Sequence, residues 1–236
     1  MKKKLELCIL SFIFAFLSVS FISCQTLKIS TQKAPSYEDP YSEEKIRGTK
    51  SFTQQILNTQ KYQKIESSSL FTKSFVGKIT QKQITLIHKP QTDLAGFLVR
   101  YDTSLYTFYM AESDRENFIL AVENFLADVE NGFFENEVLK GKSPKSGRKT
   151  ESFYGNALCF QEFGIVEAML NNYSKPKVAF GYSFLDDFPY FTLTVKSSKN
   201  LNSNISSNAV QKSIEQKYYF DKEQIKTLQN FMKGET

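Results

Sequence analysis

Twice along this chain a short aromatic, strand-like run leads straight into an amphipathic helix. "LYTFYM", residues 105–110, precedes a helical pattern containing "ENFL"; "KYYF", 217–220, precedes another containing "QNFM". In the first helix Phe118, Val122, Phe125, Leu126 and Val129 recur at helical spacing and share one face. The run Ser113-Asp114-Arg115-Glu116 has the pattern of a capping box, and Gly132 supplies a stop, so a helix is predicted over 114–130. A second is predicted over 221–232, with Ile225, Leu228 and Met232 turned inward. Each half thus reads as several strands followed by one helix, an order that a weak internal duplication would explain.

Outside these helices the dominant period is two. "FLVRY" and "LYTFYM" form a hairpin about Asp102, Thr103 and Ser104. "NALCFQEFG", "KVAFGYSF" and "YFTLTVKSS" follow as further strands, with Asp186, Asp187 and Pro189 marking a turn. The expected fold class is therefore α+β: a mostly antiparallel sheet with two packed helices. One domain is expected over 70–236, with possible halves 70–132 and 153–236. Residues 24–69, poor in bulky apolar groups, are expected to form a flexible tether.

The N-terminus has a different logic. Lys2, Lys3 and Lys4 form a cationic start, Leu7 to Ile22 an apolar run broken only by serines, and Ser23 precedes Cys24. That is the layout of an export signal. Phe21, Ile22, Ser23 and Cys24 resemble the lipobox of bacterial lipoprotein precursors, with Phe21 in place of the usual Leu. The resemblance covers residues 1–25 and implies removal of residues 1–23, acylation of Cys24 and attachment of the domain outside the cytoplasm. Gln25, where an Asp would hold such proteins back, implies an outer membrane location. The partners expected on this ground are the membrane, through the lipid, and an envelope protein or apolar ligand.

Charge removes nucleic acid from the candidate partners. The chain is +5 overall, yet Lys140, Lys142, Lys145, Arg148 and Lys149 alone supply five positive charges within ten residues. The rest carries no broad basic face. This cluster reads as a solvated loop, or as a contact for anionic headgroups. "KGKS" at 140–143 imitates a phosphate-binding loop but lacks the upstream Gly and the following helix.

Catalytic constellations are scarce. Cys159 is the one cysteine outside the first 24 residues, so no disulfide is available within the domain, and His88 is the sole histidine. One histidine cannot build a multi-histidine zinc site. A Cys159–His88 dyad would need a third, orienting group that the sequence does not display. Glu162 with Glu167, and Asp186 with Asp187, are the carboxylate pairs at hand; the second reads as a turn. No cofactor is expected and the chain is read as a non-enzyme. Aromatic residues are the remaining lead: Phe180, Tyr182, Phe184, Phe188, Tyr190 and Phe191 crowd one hairpin. Either both faces of that hairpin are covered, or it presents an interaction surface. Three function classes follow: a lipid-anchored binding or assembly module, a carrier of an apolar ligand, and an enzyme with an acidic site.

Overall fold

A computed structural model of the chain describes residues 39–42, 62–74, 76–135, 153–166, 172–202 and 211–235. Four strands come first: β1 (Gln63–Lys73), β2 (Ile79–His88), β3 (Ala95–Tyr101) and β4 (Ser104–Met110). Helix α1 (Glu112–Glu130) follows after one residue. Strands β5 (Gly155–Leu158), β6 (Phe160–Gly164), β7 (Asn172–Ser174), β8 (Lys177–Leu185), β9 (Phe188–Val195) and β10 (Gln216–Phe220) complete the sheet, and α2 (Lys222–Lys233) closes the order. The expected α+β class, with antiparallel strands and two main helices, is what the chain adopts.

Every strand pairing is antiparallel, in the order β5-β8-β9-β10-β1-β2-β3-β4-β6-β7. The two ends of that order belong together. Strands β5 and β6 are one run of chain interrupted at Cys159, and β7 and β8 are one run interrupted at Lys175 and Pro176. The Cys159 N–H donates to the Pro176 carbonyl at 3.1 Å and bridges the two interruptions. The sheet therefore curls back on itself as a ring of eight chain runs. Rings of about eight strands enclose just enough space for side chains to fill.

The ring is splayed at two seams. Strand β4 pairs β6 but not β5, and β10 pairs β1 only at Phe71 and Thr72. A helix leaves at each seam. Helix α1 packs on β5 and β8, α2 on β1, β9 and β10, and the helices pack on each other. The Gln229 side chain donates to the Ile119 carbonyl at 3.3 Å across that contact. Strands-then-helix is thus the order in both halves.

The alternation read in the sequence sets the core. Phe97, Phe108, Phe180, Phe191, Leu193, Tyr218 and Phe220 point inward and meet Phe118, Val122, Phe125, Ile225, Leu228 and Phe231 of the helices. A second apolar cluster lies on the other face of β3, β4 and β6, where Leu98, Leu105, Tyr109 and Phe160 join Tyr41 and Tyr62. Strands β3 and β4 approach closely at Gly96, where a Cβ would stand 1.6 Å from the Phe108 carbonyl oxygen. Only glycine fits there.

Three expectations change here. Helix α1 starts at Glu112 with Ala111 as its N-cap, and no side chain caps it locally, so Ser113 lies inside the first turn and the predicted capping box is absent. The boundary expected at residue 69 falls within β1. Tyr41, in the segment read as tether, is fully buried. Cys24 and the basic residues Lys140, Lys142, Lys145, Arg148 and Lys149 lie outside the described residues.

Candidate functional site

The aromatic hairpin divides by register. Residues two apart on β8 and β9 face the same way, so Phe180, Tyr182, Phe184 and Phe191 all turn into the ring. Phe180 and Phe191 are completely buried and lie within about 6 Å of Phe118. Tyr190 faces outward, edge-on to Phe71 at 5.5 Å. Phe188, the first residue of β9, is 69 % exposed. The turn before it has Asp186 at φ 50° and Asp187 at φ 67°. Two successive left-handed residues make a tight hairpin, a conformation that Asp tolerates. These carboxylates shape a turn.

Opposite this turn stands the C-terminal end of α1. The helix stops at Asn131, and Gly132, at φ 68°, reverses the chain so that Phe133 and Phe134 fold back over the sheet. Phe134 packs against Tyr182 at 4.8 Å and Phe184 at 5.9 Å. Between helix end and turn an apolar pocket of about 490 Å³ remains, lined by Val129, Phe134, Phe184, Phe188 and Pro189, with Glu135 and Asp187 contributing carboxylates. Small-molecule sites commonly measure about 300–1,000 Å³. Phe153, half exposed, lies tilted 6.1 Å from Phe133 and edge-on 5.3 Å from Tyr182 and extends the aromatic surface beside the pocket. The lining presents no nucleophile and no imidazole, so the arrangement is one that holds an apolar group.

The other sequence candidates are occupied. Glu162 forms an ion pair with Lys89 at 2.8 Å, and the Lys89 ammonium lies over the rings of Tyr109 and Phe160 at 5.4 and 5.3 Å. Its prospective partner, Glu167, lies outside the described residues. Cys159 is fully buried, and burial, with Asp114 nearby, pushes its thiol well above the ordinary range. That makes it inert as a nucleophile. His88 stands edge-on to Phe231 at 5.4 Å, and burial, reinforced by Arg115, lowers its pKa. Among the described residues no three His, Cys, Asp or Glu side chains gather as metal ligands would.

Sequence reasoning identified Phe184 and Phe188 but not the half of the pocket that α1 supplies. The signal was present: "GFF" directly after a helix stop places two large apolar groups where a solvated loop would be polar. No helix among the described residues is long and apolar enough to cross a membrane. No curated protein and no solved structure matches the chain. A family model described as "Uncharacterised Treponema protein" matches residues 54–236, and the chain belongs to that family.

Proposed function

We propose that the protein is an exported, lipid-anchored binding module of the cell envelope, and that it docks an apolar anchor of a protein partner in the pocket between α1 and the β8–β9 turn. The anchoring rests on Lys2 to Cys24, whose cationic, apolar and Ser-Cys segments follow in the order of a lipoprotein signal. An outer membrane location rests on Gln25. The binding role rests on one observation: a largely apolar pocket opening beside Phe188, which is 69 % exposed. Exposed aromatic residues around a pocket are the usual centre of a protein interface. Glu135 at its edge suits an anchor flanked by a basic residue.

Carriage of a lipid inside the ring is the weaker reading, because the interior is filled by Phe97, Phe108, Phe118, Phe180 and Phe191, all essentially without exposure. Full-length protein tagged at its C-terminus, crosslinked in native membranes, tests the proposal. A partner recovered at about equal amount with the natural sequence and lost with Phe188→Asp supports docking. Equal recovery with both refutes it. Native mass spectrometry of the same preparation that finds a retained lipid, and no partner, transfers the assignment to carriage.

A further inference from the structure

Tyr41 lies in a stretch whose composition is that of a tether, yet it has no exposed surface. Its hydroxyl donates to Asp114 Oδ2 at 2.6 Å, accepts from the Ala111 N–H at 3.0 Å and stands 3.0 Å from the Leu158 carbonyl. The other Asp114 oxygen accepts from the Leu158 N–H at 2.8 Å. Asp39 makes an ion pair with Lys175 at 2.6 Å and accepts from the Tyr41 N–H at 2.9 Å. The ring of Tyr41 shares an apolar cluster with Tyr109, Ala111 and Phe160. Residues 39–42 are therefore fastened at the place where the β4 and β5 runs part and α1 begins.

We infer that this contact is a strap that fixes the length of the leash between the lipid and the domain; the inference rests on acylation at Cys24. The covalent path alone would begin the domain at Tyr62, after 37 residues. Fully extended, that many residues reach about 120–130 Å. With Tyr41 seated, only the 14 residues from 25 to 38 lie between the lipidated cysteine and the fastening point, a reach of at most about 50 Å. Strap engagement confines the pocket to the space near its own membrane. Strap release gives it access to targets more than twice as far away. The hydrogen bonds to a buried carboxylate make the seat specific for a phenol, since Phe fills the same space without a donor.

The experiment is an insertion pair in the full-length protein, reconstituted in vesicles that contain an acceptor-labelled lipid. A donor is placed on Thr103→Cys in the exposed β3–β4 turn, Cys159 being buried. A flexible insert of about 20 residues adds roughly 65–70 Å of contour. Inserted between Gln32 and Lys33, it lowers energy transfer; inserted between Gly48 and Thr49, it leaves transfer unchanged because Tyr41 still fastens the chain. Equal loss from both insertions, or from neither, overturns the inference. Tyr41→Ala lowers transfer as the upstream insertion does. The seat is tested without any lipid by hydrogen exchange in detergent. There the Ala111 and Leu158 amides exchange at least about ten-fold faster in Tyr41→Phe, a factor equivalent to about 1.4 kcal/mol. Unchanged rates overturn the strap, whether or not Cys24 is acylated, whereas absent palmitate label with faster exchange refutes only the anchoring.

Discussion

Helix α2 supplies its own N-terminal cap, whereas α1 draws its cap from two distant parts of the chain. In α2 the Asp221 side chain accepts from the Glu223 and Gln224 N–H groups, and the Gln224 side chain accepts from the Asp221 N–H. At the other end Gly234, at φ 79°, closes the helix in the left-handed region. In α1 the Glu112 N–H donates to the Asp93 carboxylate, 19 residues away in the β2–β3 loop, at 3.0 Å. The Ala111 N–H donates to Tyr41, and Arg115 reaches back to the carbonyls of Asp93 and Met110. Asp114 lies in the first turn of α1, yet its carboxylate binds Tyr41 and the Leu158 N–H of β5. A local cap stabilises one helix; a remote cap ties that helix to the rest of the molecule.

The two kinds of cap should therefore fail differently. Asp114→Ala removes a buried carboxylate, leaves the Leu158 N–H without its acceptor and leaves the Tyr41 hydroxyl only the Leu158 carbonyl, so it should cost about 3 kcal/mol of unfolding free energy, measured by urea denaturation. Tyr41→Phe should cost about 1–2 kcal/mol. The two losses should be strongly non-additive in a double-mutant cycle, because they share one hydrogen bond. Additivity would show that the two residues act separately.

Asp221→Ala, by contrast, should cost about 1 kcal/mol, the usual value of an N-cap. It should leave hydrogen exchange near Leu158 unchanged. Faster exchange there would erase the distinction between local and remote.

Alkaline titration sharpens the same contrast. Burial, then the Asp114 carboxylate, raises the Tyr41 phenol far above its ordinary value. Tyr109 and Tyr218 are raised as well, mainly by burial. A phenol with a raised folded-state pKa contributes stability that is complete below the unfolded value, about 10, and declines as pH rises beyond it, because the unfolded chain then releases the proton more readily. The melting temperature should therefore fall above about pH 10. The fall should be shallower in Tyr41→Phe, and a parallel decline in both proteins would count against the assignment. The smallest effect on folding is expected from Phe188→Ser, which lies at the surface and should change stability by less than about 0.5 kcal/mol. Under the proposed function its effect is on binding at the pocket.

What could be read from the sequence follows the reach of the interactions. The Asp221 start, the inward Ile225 and Leu228, and the turns at Asp102 and Asp186 depend on neighbours within four residues, and each appears where the pattern puts it. Alternation in "YFTLTV" located the core-facing Phe191, Leu193 and Val195 for the same reason. The start of α1 was misread because Ser113 and Glu116 have the spacing of a capping box, while the groups that hold that terminus are Asp93 and Tyr41. No local pattern marks Tyr41 as core: "YEDPYSEE" is polar, proline-containing and indistinguishable from a linker. The pocket was half legible. Phe184 and Phe188 belong to a conspicuous hairpin, but Val129 and Phe134 meet them only because the ring brings the end of α1 over the β8–β9 turn.

The closed course of the sheet has a consequence for a protein crowded against others of its kind. Open sheets end in unpaired backbone that templates the addition of further strands, and a ring removes those ends. Among the described residues, the longest strand stretch with no strand on its outer side is Gln63–Leu70 of β1, which β10 joins only at Phe71 and Thr72. That stretch carries a register irregularity between Lys64 and Glu66, two charges and three consecutive serines. Bulges, charged edges and polar, irregular strands are the features that make a sheet edge unfit for templated growth. The ring and its irregular edge together leave little backbone on which a second copy could add a strand.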